Sequence, residues 1–526
     1  MLFGGARQQE NITNKTNMRI LKKLLYFFVF VVFLFLPLYC SAYINRTNSI
    51  ASLVVGQADM NSGSANQGGA ISANGLDNPL GVTVYNSKMF IADSVNNRIL
   101  IYNSIPSANN PAANVVIGQA DMTSGLVNQG GAVGANTLHS PRTAYVYSNK
   151  LFVVDRDNHR VLIFNLVPTS NNALADVVIG QPDMNSNSSD QGLPNPAANT
   201  LHSPRSVLVV GGKLFITDCQ NNRVLIYNSI PTADNASADT VIGQADMVSD
   251  SANQGGAIGA NTLYNPRSIF YTNGKLIVSE LQNNRVLIYN SIPTANNASA
   301  NVVIGQTDFN SGSANQGGST SANGFSQPHG LFVDAGKENL FVDDFNNNRL
   351  AIYNSIPTAN NAPTDVVIGQ PDMTSDLGNQ GLANPTAYTI SHAIDNFVYG
   401  GYIYLADELN SRVLAYKLGP ENTSVSVLQI LNTNGNNVRL GLSATGAYQM
   451  MISNYSDFRD GVWESYATTK DWTLLGDGAQ TVYAKFRDYA LYESESVSVL
   501  TNLPQTGRDS FWLNLPLIIN HFEIGN

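Results

Sequence analysis

The sequence predicts an all-β fold, a six-bladed β-propeller closed by an N-terminal strand and followed by a small β-sandwich. Three observations carry that expectation. A unit of about 62 residues recurs six times, anchored on Gly56-Gln57, Gly118-Gln119, Gly180-Gln181, Gly243-Gln244, Gly305-Gln306 and Gly369-Gln370, and a fixed period marks stacked supersecondary units. Each unit alternates in hydropathy with the period of a strand, is punctuated by Gly/Asn turns, and has no helical period. The ends of the array are incomplete in complementary ways. Residues 52–56 lack the three strands that should precede them, and the last triplet, ending at Tyr416, lacks the strand that should follow.

Taken in order, residues 1–42 read as an N-terminal extension and signal peptide. Arg19, Lys22 and Lys23 precede an apolar run over 24–38 and the small residues Ser41-Ala42, the arrangement of a secretory leader. The run is shorter than the ~20 apolar residues of a spanning helix; its aromatic content keeps an uncleaved anchor as the alternative. Residues 51–420 hold the repeats. In the third copy 206–210 and 214–217 are strands around the turn Gly211-Gly212-Lys213 and a third strand runs 223–227; a fourth strand ends on the Gly-Gln anchor, as in 176–180. Four short antiparallel strands per unit make a propeller blade. Six triplets and six fourth strands balance only if residues 52–56 complete the last blade, which also removes two exposed sheet edges. The sixth unit reads as irregular: 22 residues separate Pro385 from Asp407, against 14 between Pro79 and Asp93, with Ser391-His392 in the extra length.

The lines Asn78-Pro79-Leu80-Gly81 to Asp93 and Asn97-Arg98, and Gln327-Pro328-His329-Gly330 to Asp344 and Arg349, resemble the NHL repeat. The resemblance covers about 370 residues and departs from the pattern by a repeated insertion of roughly 20 residues, such as 58–77. It implies a propeller that presents ligands or protein partners at the channel mouth. Some NHL-like propellers are metal-dependent lyases, and that resemblance implies a second reading, in which His139, His202 and Tyr264, with Asp77 or His329, would serve a zinc ion.

Beyond Pro420 the repeat stops. Residues 423–500 show short strands at 438–442, 448–452, 463–466, 472–474, 482–486 and 496–500, the spacing of a small sandwich with Trp463 and Trp472 in its core. The run from Gly476 to Asp488 resembles Ig-like modules of bacterial surface proteins. In the tail, 501–526, Leu503-Pro504-Gln505-Thr506-Gly507 is similar to a sortase sorting signal, although the apolar stretch after it holds Asn514 and Pro516 and no basic residues follow. The motif implies a sortase substrate held at the cell envelope.

Composition narrows function. Net charge is −10 and only 13% of residues are charged, without the basic run of a nucleic-acid binder. Cys219 is the one cysteine outside the leader, so a processed chain forms no internal disulfide. Its sister positions are Ser94, Arg156, Leu281, Phe345 and Glu408, and no base accompanies it as a nucleophile would require. An acid recurs five residues before an arginine in every unit: Asp93 with Arg98, Asp155 with Arg160, Asp218 with Arg223, Glu280 with Arg285, Asp344 with Arg349 and Asp407 with Arg412. These read as structural ion pairs, since a catalytic group is needed once and not six times. They are expected to contribute modestly wherever exposed. The inserted loops, as at Asp59-Met60-Asn61-Ser62-Gly63, place oxygens as a calcium loop does. The sisters of Asn61 include Val248, however, and no acid closes the loops.

Function should break the repeat symmetry. Two residues before the first-strand proline stand Asp77, His139, His202, Tyr264, Ser326 and Ala383; one residue after it stand Leu80, Arg142, Arg205, Arg267, His329 and Thr386. The first strand of a blade lines the channel, so both columns are expected to ring one mouth. The ligand-binding candidates are thus Asp77, His139, Arg142, His202, Arg205, Tyr264, Arg267 and His329. A cationic rim there suits a carboxylate, phosphate or acidic sugar. The expected protein is secreted or held at the cell surface and binds a protein or glycan, with no cofactor, no catalytic residue and no nucleic-acid partner. Zinc at the mouth and calcium in the loops are the alternatives.

Overall fold

The computed structural model describes residues 49–334, 336–431, 436–476, 479–488 and 492–502. The leader and the Leu503-Pro504-Gln505-Thr506-Gly507 motif lie outside the described residues. Six four-stranded antiparallel sheets are built from the repeats. In the first, Pro79–Tyr85, Lys88–Asp93, Arg98–Tyr102 and Val115–Ile117 lie in chain order. The innermost strands touch one another round a closed circle, Pro79–Tyr85 meeting both Pro141–Tyr147 and Ala393–Tyr399. That circle makes the fold a six-bladed propeller. Strand Ala51–Val55 pairs antiparallel with Arg412–Lys417, setting Val54 opposite Leu414 and Val55 opposite Val413. The first strand of the propeller thereby completes its last sheet, as the unbalanced ends of the array required.

Each blade is wedged to the next by an apolar layer. Residues of the second, third and fourth strands of one blade, such as Phe90, Ile99 and Ile117, share a core with Leu151, Val153 and Leu162 of the following blade. Strands buried on both faces read as nearly continuous apolar runs such as Arg-Val-Leu-Ile-Tyr, because no face is left for solvent.

The ion pairs are not exposed, so the modest contribution expected of a solvated pair does not describe them. Arg98, Arg160, Arg223, Arg285, Arg349 and Arg412 and their acids all have fully buried side chains. Arg160 shows the pattern: Nε donates to Asp155 Oδ2 at 2.8 Å, Nη1 to the Met184 carbonyl at 2.7 Å, and Nη2 to the carbonyls of Gly134 and Thr137, both at 2.9 Å. Arg223 repeats it, with Nε on Asp218 Oδ2 at 2.8 Å and Nη2 on the carbonyls of Ala197 and Thr200 at 2.9 and 3.1 Å. Arg285 keeps it although its acid is a glutamate. Its Nε donates to Glu280 Oε2 at 2.6 Å and its Nη1 to the Phe309 carbonyl at 2.6 Å. One guanidinium thus ties its own hairpin to the inserted loops before and after it. The insertion is therefore scaffold: its carbonyls satisfy a buried cation that would otherwise be prohibitively costly. Arg412 closes the circle by donating to the Met60 carbonyl at 2.6 Å.

The Gly-Gln anchor serves the same loops. Gln119 Nε2 donates to the carbonyls of Asn97 and Leu126 at 2.9 and 2.8 Å. Gly118 sits at φ +90°, where a Cβ would also collide with the Leu138 side chain, so only glycine fits. The aspartates of the inserted loops bend their own chain: Asp59 Oδ1 accepts from Asn61 N at 2.8 Å and from Ser62 Oγ at 3.0 Å. Those hydrogen bonds hold its carboxyl below the usual value, and the aspartate forms a turn in which Val248 replaces Asn61 without penalty.

The sixth blade carries no insertion. Ala393 is the register partner of Asp407, as Pro79 is of Asp93. Pro385 belongs to the inserted loop, where the Thr386 carbonyl accepts from Arg412 at 3.0 Å, the place Ser72 fills for Arg98. The apparent slack came from a proline standing a few residues upstream of the blade whose own proline is replaced by alanine. Ser391 and Ile394, not Ala383 and Thr386, hold the two column positions there.

The C-terminal region is a sandwich of a three-stranded and a four-stranded sheet. Val438, Leu440 and Leu442 from one sheet and Met450, Ile452, Val482, Ala484 and Phe486 from the other form a single core. Its longest strand, Glu421–Ile430, was not expected from the sequence. Neither tryptophan is fully inside. Trp472 packs on the rim of the core with its Nε1 on Asn454 Oδ1 at 3.0 Å, and Trp463 lies under the Arg487 guanidinium at 4.2 Å.

Candidate functional site

The channel contains two cavities divided by one layer of side chains. Thr83, Tyr145, Leu208, Phe270, Phe332 and Phe397, one from each innermost strand, line both. The rings of Phe332 and Phe397 lie 4.7 Å apart and those of Phe270 and Phe332 5.0 Å apart, so this layer is a packed septum.

On the side where the first strands begin, a cavity of about 60 Å³ is lined by Arg142, Arg205, Arg267 and His329. These four predicted residues are brought together. A backbone irregularity after the strand's first residue re-aims the chain at this point, as between Pro204 and Val207, and turns the side chain that follows the proline into the channel. The other four are not brought in. The backbone N–H groups of Asp77, His139 and His202 each donate to the framework aspartate of their blade at 2.7 Å. The residue after each (Asn78, Ser140, Ser203) has φ of 48–49°, and that left-handed step separates the two columns. Tyr264 likewise contributes its backbone, to Glu280. His139 and His202 instead face carboxylates, with Nε2 of His139 3.9 Å from Asp157 and Nδ1 of His202 3.5 Å from Asp190. Among the described residues no three His, Cys, Asp or Glu side chains converge as a metal site, so the ligand set of the lyase reading is not assembled.

The guanidiniums are under-satisfied. Among the described residues Arg142, Arg205 and Arg267 enter no ion pair, and Nε of Arg205 and Nε and Nη1 of Arg267 are buried without a hydrogen-bond partner. Burial and the neighbouring guanidiniums push the Arg142 pKa down to about 10, and burial followed by Arg267 holds that of Arg205 well below its usual value. His329 is buried and stacked on Phe345, its ring centroid 4.2 Å away. Burial and the three arginines hold its pKa well below the usual value, so it faces the cavity as a neutral ring and adds no charge.

Two carboxyls escaped the sequence reading. Asp395 lies on the sixth innermost strand, and its Oδ2 accepts from Val82 N at 3.0 Å. Burial pushes its pKa up to about 7. Asp343, fully buried, accepts from Asn396 Nδ2 at 2.8 Å and is raised well above the carboxylate range by burial. Both were detectable as breaks in symmetry. Asp343 stands where the sister blades have Ala92, Val154, Thr217, Ser279 and Ala406. Asp395 was hidden by the misplaced sixth proline. Cys219 is buried, with Sγ 3.3 Å from Asn265 Oδ1, in the column that also holds Arg156 and Glu408 beside the cavity.

No family model and no curated protein sequence matches the chain. Among solved structures it is similar to extracellular domains of two B. thetaiotaomicron proteins provisionally assigned as hybrid two component systems. One has 10% identity, coverage of 88% of this chain and 60% of that one, and a TM-score of 0.37. The other has 12%, 85%, 57% and 0.36. It is also similar to a Bacteroides fragilis protein provisionally assigned as a 6-phosphogluconolactonase, at 10% identity, with 80% of this chain, 94% of that one and a TM-score of 0.36. The chain spans less than two thirds of the length of the two B. thetaiotaomicron domains.

Proposed function

We propose that this chain is an exported, cell-surface binding protein whose NHL-like propeller holds a small anionic group in its channel. The sandwich, an Ig-like module in this reading, is the spacer that carries the propeller, and the sorting-type motif links it to the envelope. One observation carries the ligand class: three guanidiniums from three adjacent blades meet at one cavity, and those of Arg205 and Arg267 leave buried N–H groups open. A buried donor without an acceptor costs about 1–3 kcal/mol, more when charged. A carboxylate, sulfate or phosphate group would satisfy those donors by charge-assisted, forked contacts. The volume suits that group and no more. A site for one water needs about 10–15 Å³, so about 60 Å³ takes a few waters or one anionic head, with the rest of a ligand projecting from the mouth.

The test is calorimetric titration of the whole exported chain with sulfate, acetate and glucuronate, alongside a variant combining Arg142→Gln, Arg205→Gln and Arg267→Gln. Binding of at least one anion, weakened about a hundredfold or more in the triple variant, is the expected result. Equal affinity in a folded triple variant, or no anion binding by the native chain, refutes the reading.

A further inference from the structure

Beyond the septum the channel opens into a second cavity of about 760 Å³, and we propose that it binds a neutral carbohydrate. It lies where the innermost strands end, on the face away from the arginines, and shares with the anion site only the septum. Its lining is aromatic by selection among equivalent positions. The last residues of the innermost strands are Tyr85, Tyr147, Val210, Thr272, Asp334 and Tyr399, and Tyr271 and the septum's Tyr145 add to them. The aliphatic lining residues Val84, Val146, Leu208, Val209 and Val333 are buried. Tyr85, Tyr147, Tyr271 and Tyr399 are only half-buried. Besides the half-buried Val210 and Asp334, what the cavity shows to solvent is ring faces and phenolic hydroxyls.

That surface fits one chemistry. Among the described residues no lysine or arginine lines the cavity. The carboxylate in its wall, Asp334, accepts the hydroxyl of Tyr492 on one oxygen and the Gly336 N–H on the other at 3.0 Å, so both its oxygens are already engaged. Tyrosine joins an apolar face to a hydrogen-bonding tip, which matches a pyranose, apolar on its C–H face and hydroxylated at its edge. The glycines at the rim, Gly211, Gly400 and Gly401, leave open space where a side chain would stand, so a chain of sugars can enter and leave. A volume of this size lies in the range of small-molecule sites and accommodates two or three sugar rings.

The experiment is calorimetric titration of the whole chain with cellohexaose, xylohexaose, maltohexaose and chitohexaose. Tyr147→Ala, Tyr399→Ala and Tyr147→Phe are the variants, and Arg142→Gln is the control. The expected result is binding of at least one neutral oligosaccharide, weakened about tenfold or more by either alanine, weakened less by Tyr147→Phe, and unchanged by Arg142→Gln. Thermal melting shows that each variant is folded. No binding of any of the four at millimolar concentration overturns the proposal. So does binding that Tyr147→Phe strengthens, which marks an apolar peptide site. Because the control variant impairs only the anion cavity, failure of one site is distinguishable from failure of the other.

Discussion

At the scale of single residues, the channel sets a titratable carboxyl among fixed cations, and that gives a sign to its pH dependence. Asp395 is raised by burial from 3.8 to about 7. The folded chain therefore keeps a proton through a window in which the unfolded chain has released it. The stability this group contributes is complete below the unfolded value and is lost as pH rises through the folded one. Above about pH 7 its charge also offsets the guanidiniums facing it. Sulfate, which does not titrate here, should therefore bind roughly three- to tenfold more weakly at about pH 8 than at about pH 6. Asp395→Asn should flatten that dependence. A native affinity that is level across the window removes Asp395 from the site. How far the residues could be read in advance follows from the same symmetry. Arg142, Arg205 and Arg267 were legible because they replace an apolar residue in a column that can be counted. The neutrality of His329 was not, since it comes from burial and from cations on other blades. Nor was the burial of Arg223 or Arg285, because the carbonyls that surround each guanidinium belong to loops whose side chains say nothing of it.

At the scale of elements, hydropathy alternation and turn residues placed nearly every propeller strand, because each strand has the same job in six copies. It misled where a marker had drifted: Ala393 replaced a proline, and Pro385 stood close enough to be mistaken for it. The strand Glu421–Ile430 was missed for want of a repeat to set it against. Repetition marked the inserted loops as scaffold but not how they serve it, because their role lies in backbone carbonyls, which have no signature in side-chain composition. The clasp strand Ala51–Val55 was inferred by counting, and its energetics can be checked. Val54 and Val55 are at most 1% exposed, and full burial of such a side chain contributes about 1.5–3 kcal/mol. A chain beginning at Gly56 should lose roughly 3–6 kcal/mol in a denaturant melt. It should also expose the edge of Arg412–Lys417 and self-associate on a sizing column. An unchanged midpoint and a monomeric profile would show that the circle closes without the clasp.

At the scale of the whole molecule, the last blade is where three parts of the chain meet. Ala51 of the clasp, Leu414 and Tyr416 of the blade, Leu418 of the connector and Tyr492 of the sandwich belong to one apolar core. Tyr492 donates its hydroxyl to Asp334 of the neighbouring blade and lies beneath the Lys337 ammonium at 4.9 Å, and it also lines the second cavity. The sandwich is thus joined to the propeller through a side chain that also seals the closing blade. Removing that ring should loosen more than its own module. Tyr492→Ala should cost on the order of 3 kcal/mol, the usual penalty for deleting a buried aromatic, and the loss should register away from the substitution. Hydrogen exchange is the suitable readout, since it reports local opening segment by segment. The amides of Ala51–Val55 and of Arg412–Lys417 should exchange faster, while Arg160–Phe164, on the far side of the circle, keeps its protection. If only residues near 492 change, the sandwich hangs beside the propeller without bracing it. If the clasp loosens with it, the C-terminal module is a structural partner of the N-terminal strand, and the two hold the closing blade together.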